Sequence, residues 1–177
     1  MLYILFSTLA FLCLLIADYF QISQKHFIIL PFSIAGYGGI FVVIMTMTIQ
    51  YWVPTLSVFF LVVKCFFVLF SLGALVYVLF IEISFTPQIT KTRERLVVST
   101  GSYSLVRHPA FYPFALILIS LSFLAWGKEF ILLSTYLILL NFLLILIEDK
   151  FLFPRIFANY NQYKKSVPFL VPGRTSI

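Results

Sequence analysis

Apolar and polar residues fall into long blocks along this chain, not into the short periods of a half-buried strand. Five blocks are almost wholly apolar, at about residues 1–17, 27–50, 55–82, 110–125 and 130–147. Each approaches the roughly 20 residues an α-helix needs to cross a hydrocarbon core about 30 Å thick. The pattern therefore predicts an all-α integral membrane protein of about five transmembrane helices. The last two blocks are joined by Trp126-Gly127-Lys128-Glu129, a polar turn short enough to demand an antiparallel helical hairpin. The third block is longer than a crossing needs. If residues 55–63 lie along the outer interface, the span runs from Cys65 to Ser84 and Lys64 snorkels toward headgroups.

Composition agrees with that pattern. Hydrophobic residues make up 62% of the chain and charged residues 10%, with a mean hydropathy of +1.08, against roughly 25% charged residues in a soluble domain. Residues 1–177 are read as one membrane domain, with three N-terminal spans in 1–84 and the polar chemistry in 85–177. The opening stretch, MLYILFSTLAFLCLLIA, has no basic leader or small-residue cleavage site and reads as a retained first span. Cys13 and Cys65 lie inside apolar runs and read as small buried hydrophobes, so neither a disulfide nor a metal site is expected.

The net charge of +6 comes with no nucleic-acid motif, so lipid headgroups are the expected partner and nucleic acid is not. Ten of the twelve basic residues fall on one side: Lys25; Lys91, Arg93, Arg95 and Arg107; and Lys150, Arg155, Lys164, Lys165 and Arg174. Only Lys128 falls on the other, and Lys64 lies within the third block. The basic excess marks the cytosol, which predicts an outer N-terminus, with the third loop and the tail inside. Gly36, Gly38 and Gly39 read as a close helix contact or a local break, because they lack the spacing and lysine of a phosphate loop.

Polar chemistry collects in two places. The loop from Gln88 to Pro109 is the longest polar stretch, and its Pro109 suits the first turn of the fourth helix. His108 then stands near exposed backbone N–H groups and the positive end of the helix dipole, where an anion is favoured. The second cluster, Glu148-Asp149-Lys150, ends the fifth helix. A hairpin brings the start of one helix beside the end of the next, so His108 and Glu148 are expected to be neighbours. The tail from Phe151 to Pro172 interleaves aromatic and basic residues and reads as an interfacial helix over the pocket mouth. A plain membrane-edge anchor explains such a cluster as well, and the residues by themselves name no cofactor.

Leu96 to Tyr103, then Val106-Arg107-His108-Pro109, then an apolar hairpin, then Glu148 to Leu152, then Tyr160 to Pro168, resemble the isoprenylcysteine carboxyl methyltransferase family. That family lies within a wider group of membrane methyltransferases that includes phospholipid N-methyltransferases. The resemblance covers roughly residues 88–172. It implies an S-adenosylmethionine site on the cytosolic face formed by Gln88, Arg95, Leu96, Val97, Val98, Tyr103, Arg107, His108, Pro109, Ala110, Phe111 and Glu148, with Glu148 and His108 as the catalytic candidates. It also implies a lipophilic substrate entering from the bilayer.

This sequence departs from the family at Phe111, where the family has Tyr, at Pro113, often Gly, at Asp149, usually Glu, and at Phe157-Ala158, where a Phe-Gly pair is usual. Leu144 stands where the prenylcysteine enzymes carry an arginine for the substrate carboxylate. Two other readings remain beside this one. An NADPH-dependent membrane reductase of the sterol type shares an Arg-His-Pro and tail pattern, but usually follows it with Asn-Tyr where this chain has Ala110-Phe111. A non-catalytic membrane relative would account for the departures.

Overall fold

The computed structural model describes residues 1–52, 57–83, 95–125 and 127–173. It is helical, with no strand among the described residues. Helix α1 spans Leu2–Gln21, α2 His26–Gln50, α3 Val58–Val76, α4 Phe111–Leu124, α5 Lys128–Ile147, α6 Phe153–Ile156 and α7 Tyr160–Ser166. Wider π-helical turns extend α3 through Tyr77–Glu82 and join α5 to α6 through Glu148–Leu152. Four continuous helical stretches are long and apolar enough to cross a membrane: Leu2–Gln21, His26–Gln50, Val58–Glu82 and Lys128–Ile156. The fourth apolar block gives only the 14 residues of α4, about 21 Å of helix at 1.5 Å per residue. The chain turns tightly through Pro109 and Ala110 before the helix begins at Phe111, which accounts for the lost length at that end.

Neighbouring helices are α2 with α1, α1 with α5, α5 with α4, and α4 with α3. In lipid, burial from water does not drive helices together, and close backbone approach and interhelical hydrogen bonds matter more. Both are present. A Cβ at Gly36 would crowd the Leu14 side chain and stand 3.0 Å from the Ala10 carbonyl oxygen, and one at Gly39 would stand 3.0 Å from the Ala10 Cβ. Two of the three glycines expected to mark a helix contact thus do so, while Gly38 faces open space. The Thr8 and Tyr136 hydroxyls meet at 2.8 Å between α1 and α5, and the Tyr3 hydroxyl donates to Gln50 Oε1 at 2.8 Å between α1 and α2.

The core behind these contacts joins Leu14, Val43 and Met47 to Leu118, Leu121, Phe130 and Leu137. Helix α3 contributes almost nothing to it. Only Ser71 of α3 is buried, while Phe59, Phe60, Phe66, Phe67 and Phe70 face outward. That distribution suits a lipid solvent and not water. Helix α3 begins at Val58, so Lys64 lies inside it; Ser84 and residues 53–56 lie outside the described residues.

The tail differs from the single interfacial helix expected. It is two short helices broken at Phe157, whose backbone is extended. Beyond the break, the Ala158 N–H donates to the Arg95 carbonyl at 3.0 Å and Asn159 Oδ1 accepts from the Val97 N–H at 2.8 Å. The tail therefore folds against the segment that precedes α4. Tyr160, Tyr163 and Val167 form a second small core with Val97, Phe153 and Phe157.

Candidate functional site

The start of α4, the end of α5 and the end of α1 meet at one end of the bundle, under α6 and α7. The Phe111 N–H donates to the His108 carbonyl at 3.2 Å and the Tyr112 N–H to the Pro109 carbonyl at 3.3 Å, which turns the chain into α4 and leaves His108 at its entrance. The imidazole stacks on Phe153, with centroids 5.6 Å apart, and meets Phe169 edge-on at 5.3 Å. Its Nδ1 lies 3.7 Å from Glu148 Oε2 and its Nε2 3.8 Å from Asp149 Oδ1. The hairpin thus makes His108 and Glu148 neighbours, as expected. Neither distance is a hydrogen bond, and Nε2 has no partner among the described residues. Burial lowers the His108 pKa, with Asp149 opposing, and the ring is neutral at pH 7.

Glu148 and Asp149 are consecutive, and the π-helical turn sends them to different partners. Asp149 is saturated. Its Oδ1 accepts from Arg107 Nε at 2.6 Å and from the Tyr160 hydroxyl at 2.7 Å, and its Oδ2 accepts from Lys164 Nζ at 2.8 Å and Arg107 Nη2 at 3.3 Å. Arg107 Nη1 donates onward to the Val167 and Lys164 carbonyls at 2.7 and 3.2 Å. The Arg107 N–H also donates to the Pro168 carbonyl at 3.0 Å. This knot ties the tail to the entrance of α4. Burial and the bond to Asp149 hold the Tyr160 phenol well above its usual range, so it acts as a donor.

Glu148 has no lysine or arginine partner among the described residues. Its carboxyl, 13% exposed, interacts with that of Asp18 in α1. Gln21 Nε2 donates to the other side of Asp18 at 2.8 Å. Tyr37 and Tyr103 lie within electrostatic reach of Glu148. Side chains on a helix lean toward its N-terminus, which directs Tyr37 of α2 toward this end of the bundle. Tyr103 is fixed from behind, because its carbonyl accepts from the Tyr163 hydroxyl at 2.6 Å. Burial, then the charges of Glu82 and Glu148, raise its phenol well above the usual range. The Glu82 carboxylate in turn accepts from the Ser102 N–H and hydroxyl, pinning the turn whose Gly101 adopts φ +58°.

Of the residues implied by the resemblance, His108, Glu148 and Tyr103 converge. Pro109 and Ala110 form the turn between His108 and α4. Phe111 joins an aromatic wall with Phe142, at 6.1 Å, which continues to Phe169 at 6.2 Å. Arg95, Leu96, Val97 and Val98 run alongside the tail, where Val98 is buried. Arg107 turns its donors toward Asp149 and the tail. Gln88 lies outside the described residues. Leu144 is buried in the apolar core one turn before Glu148, so its position offers no charge to an anionic substrate.

Four residues that sequence reasoning did not place here belong to the arrangement: Asp18, Tyr37, Phe142 and Phe169. For Asp18 a signal existed, since an acid bordering an apolar span is a functional candidate; for the aromatic residues no pattern distinguishes wall from lipid-facing surface. Together these groups offer two carboxyls to cationic or hydroxyl donors, a neutral imidazole, and an aromatic face for a planar ring. The chain matches no protein-family model, no curated protein and no solved structure.

Proposed function

We propose that this chain is an integral membrane methyltransferase that uses S-adenosylmethionine to methylate a lipophilic substrate, in the manner of the isoprenylcysteine carboxyl methyltransferase-like family it resembles. The observation that carries the reading is Glu148, which faces His108 at 3.7 Å and interacts with Asp18 on the other side, with no basic residue paired to it among the described residues. A carboxyl so placed beside an aromatic wall suits the cofactor's amino group or ribose hydroxyls. A nicotinamide dinucleotide would instead need cations for its phosphates. Among the described residues, Arg107 and Lys164 are both bound to Asp149.

When bound, the cofactor supplies an electrophilic methyl group on a sulfonium. The protein's work is then positioning and exclusion of water. Aligning a nucleophile with its target is worth up to roughly 7 to 11 kcal/mol in favourable cases. Phe111, Phe142 and Phe169 would hold the cofactor's planar ring, Glu148 and Tyr103 its polar groups, and neutral His108 would accept a proton from a substrate that carries one.

The same contacts support a membrane arrangement. His108 precedes α4 and Glu148 ends α5, so α4 leaves the site's face and α5 returns to it. In this reading α4 is the fifth crossing despite its length. Asp18 and Glu82, at the ends of α1 and the extended α3, put those ends at the site's face and the N-terminus opposite. The excess of basic residues in the third loop and the tail supports a cytosolic side for the site, and in this reading α7 lies at the interface.

Calorimetric titration of S-adenosylmethionine and, separately, of NADPH into detergent-purified protein tests this. Saturable binding of the first that Glu148→Ala abolishes is expected. Binding of NADPH alone, or of neither by folded protein, refutes it.

A further inference from the structure

The candidate site is closed on the side of the tail. His108 is 6% exposed and the Glu148 side chain 13%, so a polar ligand reaches them only if a covering element moves. Phe153 of α6 stacks on the imidazole, and Phe169 meets it edge-on with centroids 5.3 Å apart. Phe169 also packs against Phe142 of α5, and the Arg107 guanidinium lies 5.6 Å from its ring centroid. It thus touches the imidazole, the aromatic wall and the arginine of the knot at once.

The elements around the site differ in what their movement costs. Displacing α1, α4 or α5 breaks packing within the bundle, and α7 is tied down by the bonds of Tyr160 and Lys164 to Asp149 and by the small core it shares with Phe153 and Phe157. Past Val167 the chain has no helix. Among the described residues it is held there by two hydrogen bonds, from the Arg107 N–H to the Pro168 carbonyl at 3.0 Å and from the Tyr112 hydroxyl to the Leu170 carbonyl. Tyr112 is 45% exposed and Val171 78%, so water competes for the second bond. A segment with few buried contacts and exposed hydrogen bonds belongs to the low end of the range of local opening energies.

We propose that residues 168–171 form a strap that gates the site, with Phe169 as its closing leaf and the Tyr112–Leu170 hydrogen bond as its latch. Releasing the latch lifts Phe169 off His108 and Phe142 while α6 and α7 stay docked, and it opens the imidazole and Glu148 to a polar ligand from the side of the tail. Tyr112 follows Phe111 in the first turn of α4, so the latch is anchored on the same turn of helix as the wall that the strap closes. The gate rests on the methyltransferase reading only for which ligand enters; the opening itself is separate.

The test is the rate at which diethyl pyrocarbonate, which acylates neutral imidazoles, modifies the detergent-purified full chain, with modified peptides located by mass spectrometry. The chain has two histidines, and His26 is exposed, so each preparation carries its own reference for free access. In the wild type His108 is expected to react much more slowly than His26. Tyr112→Phe removes only the latch and should speed His108 about fivefold, the ratio of one ordinary hydrogen bond, with His26 unchanged. Phe169→Ala removes the leaf itself and should bring His108 close to the rate of His26.

An unchanged His108 rate in Tyr112→Phe, in protein whose circular dichroism matches the wild type, overturns the proposal. So does a wild-type His108 that already reacts as fast as His26. If Tyr112→Phe speeds hydrogen exchange of the α7 amides by the same factor as His108 modification, the whole tail undocks and the strap is no separate gate. Adding S-adenosylmethionine to the same preparations keeps the two readings apart. Latch-dependent access that the cofactor does not slow supports the gate while counting against the methyltransferase, and protection by the cofactor without latch dependence sinks the gate alone.

Discussion

Replacing Asp149 with alanine removes the acceptor for Arg107, Tyr160 and Lys164 at once. Asp149 is 4% exposed and the Arg107 side chain 8%, so the arginine's charge is left buried without its counter-ion. Removing one partner of a buried ion pair costs about 3 to 5 kcal/mol. The Lys164 contact adds little, because that side chain is 37% exposed and a pair screened to that extent is worth about 1 kcal/mol or less. The two carbonyls that Arg107 still binds, Val167 and Lys164, soften the loss, which puts the expected cost near the lower end, about 3 kcal/mol.

The assay is unfolding in detergent micelles followed by circular dichroism, with limited proteolysis reporting release of residues 157–173. Asp149→Asn retains one acceptor and should fall between wild type and alanine. The pair Arg107→Leu with Asp149→Leu should cost less than Asp149→Ala alone, because it buries no unpaired charge. If Asp149→Ala unfolds within about 0.5 kcal/mol of wild type, a surface-like value, the knot does not hold the tail. The same conclusion follows if the double leucine variant is the worse of the two.

Gly36→Ala pushes a methyl into Leu14 and the Ala10 carbonyl and should destabilise by about 1 to 3 kcal/mol. Gly38→Ala meets nothing within 4 Å and should stabilise by up to about 1 kcal/mol through helix propensity; the same unfolding assay reads both. His108 has a pKa lowered by burial, so below about pH 6.5 the unfolded chain takes up the proton first and stability falls as pH falls. His108→Phe, which keeps an aromatic ring between Phe153 and Phe169, should flatten that dependence between pH 7.5 and 5.5, and an unchanged slope would place its origin elsewhere.

Much of this arrangement was legible before any coordinates. The short Trp126 to Glu129 turn between two apolar blocks dictates a hairpin, and the hairpin alone brings His108 to Glu148 across 40 residues. The glycines at 36 and 39 announced a helix contact because close approach in lipid calls for small residues. The role of Asp18 was not legible. Contact between α1 and α5 is fixed by packing such as Thr8 on Tyr136, which no local pattern encodes. The tail misled for a related reason. Its aromatic and basic spacing suits one amphipathic helix, but backbone groups of Arg95 and Val97, more than 60 residues away, bind Ala158 and Asn159 and stop the helix at Phe157.

The division of labour between Glu148 and Asp149 illustrates what sequence alone hides. Two adjacent acids at a helix end look equivalent, and either could serve a ligand. The π-helical turn, with no signature in composition, aims Asp149 at Arg107, Tyr160 and Lys164 and leaves Glu148 facing an imidazole and another acid. A buried acid saturated by donors has nothing left to offer a ligand. One without them is held in an unfavourable place that a bound cation relieves. Asp149 thus holds Arg107 and Lys164, and among the described residues Glu148 pairs with neither. This predicts that Arg107→Leu in the Asp149→Leu background weakens tail docking more than cofactor binding, whereas Glu148→Ala does the reverse. If both changes reduced cofactor binding and tail docking equally, the two acids would form one structural unit and the distinction would fail.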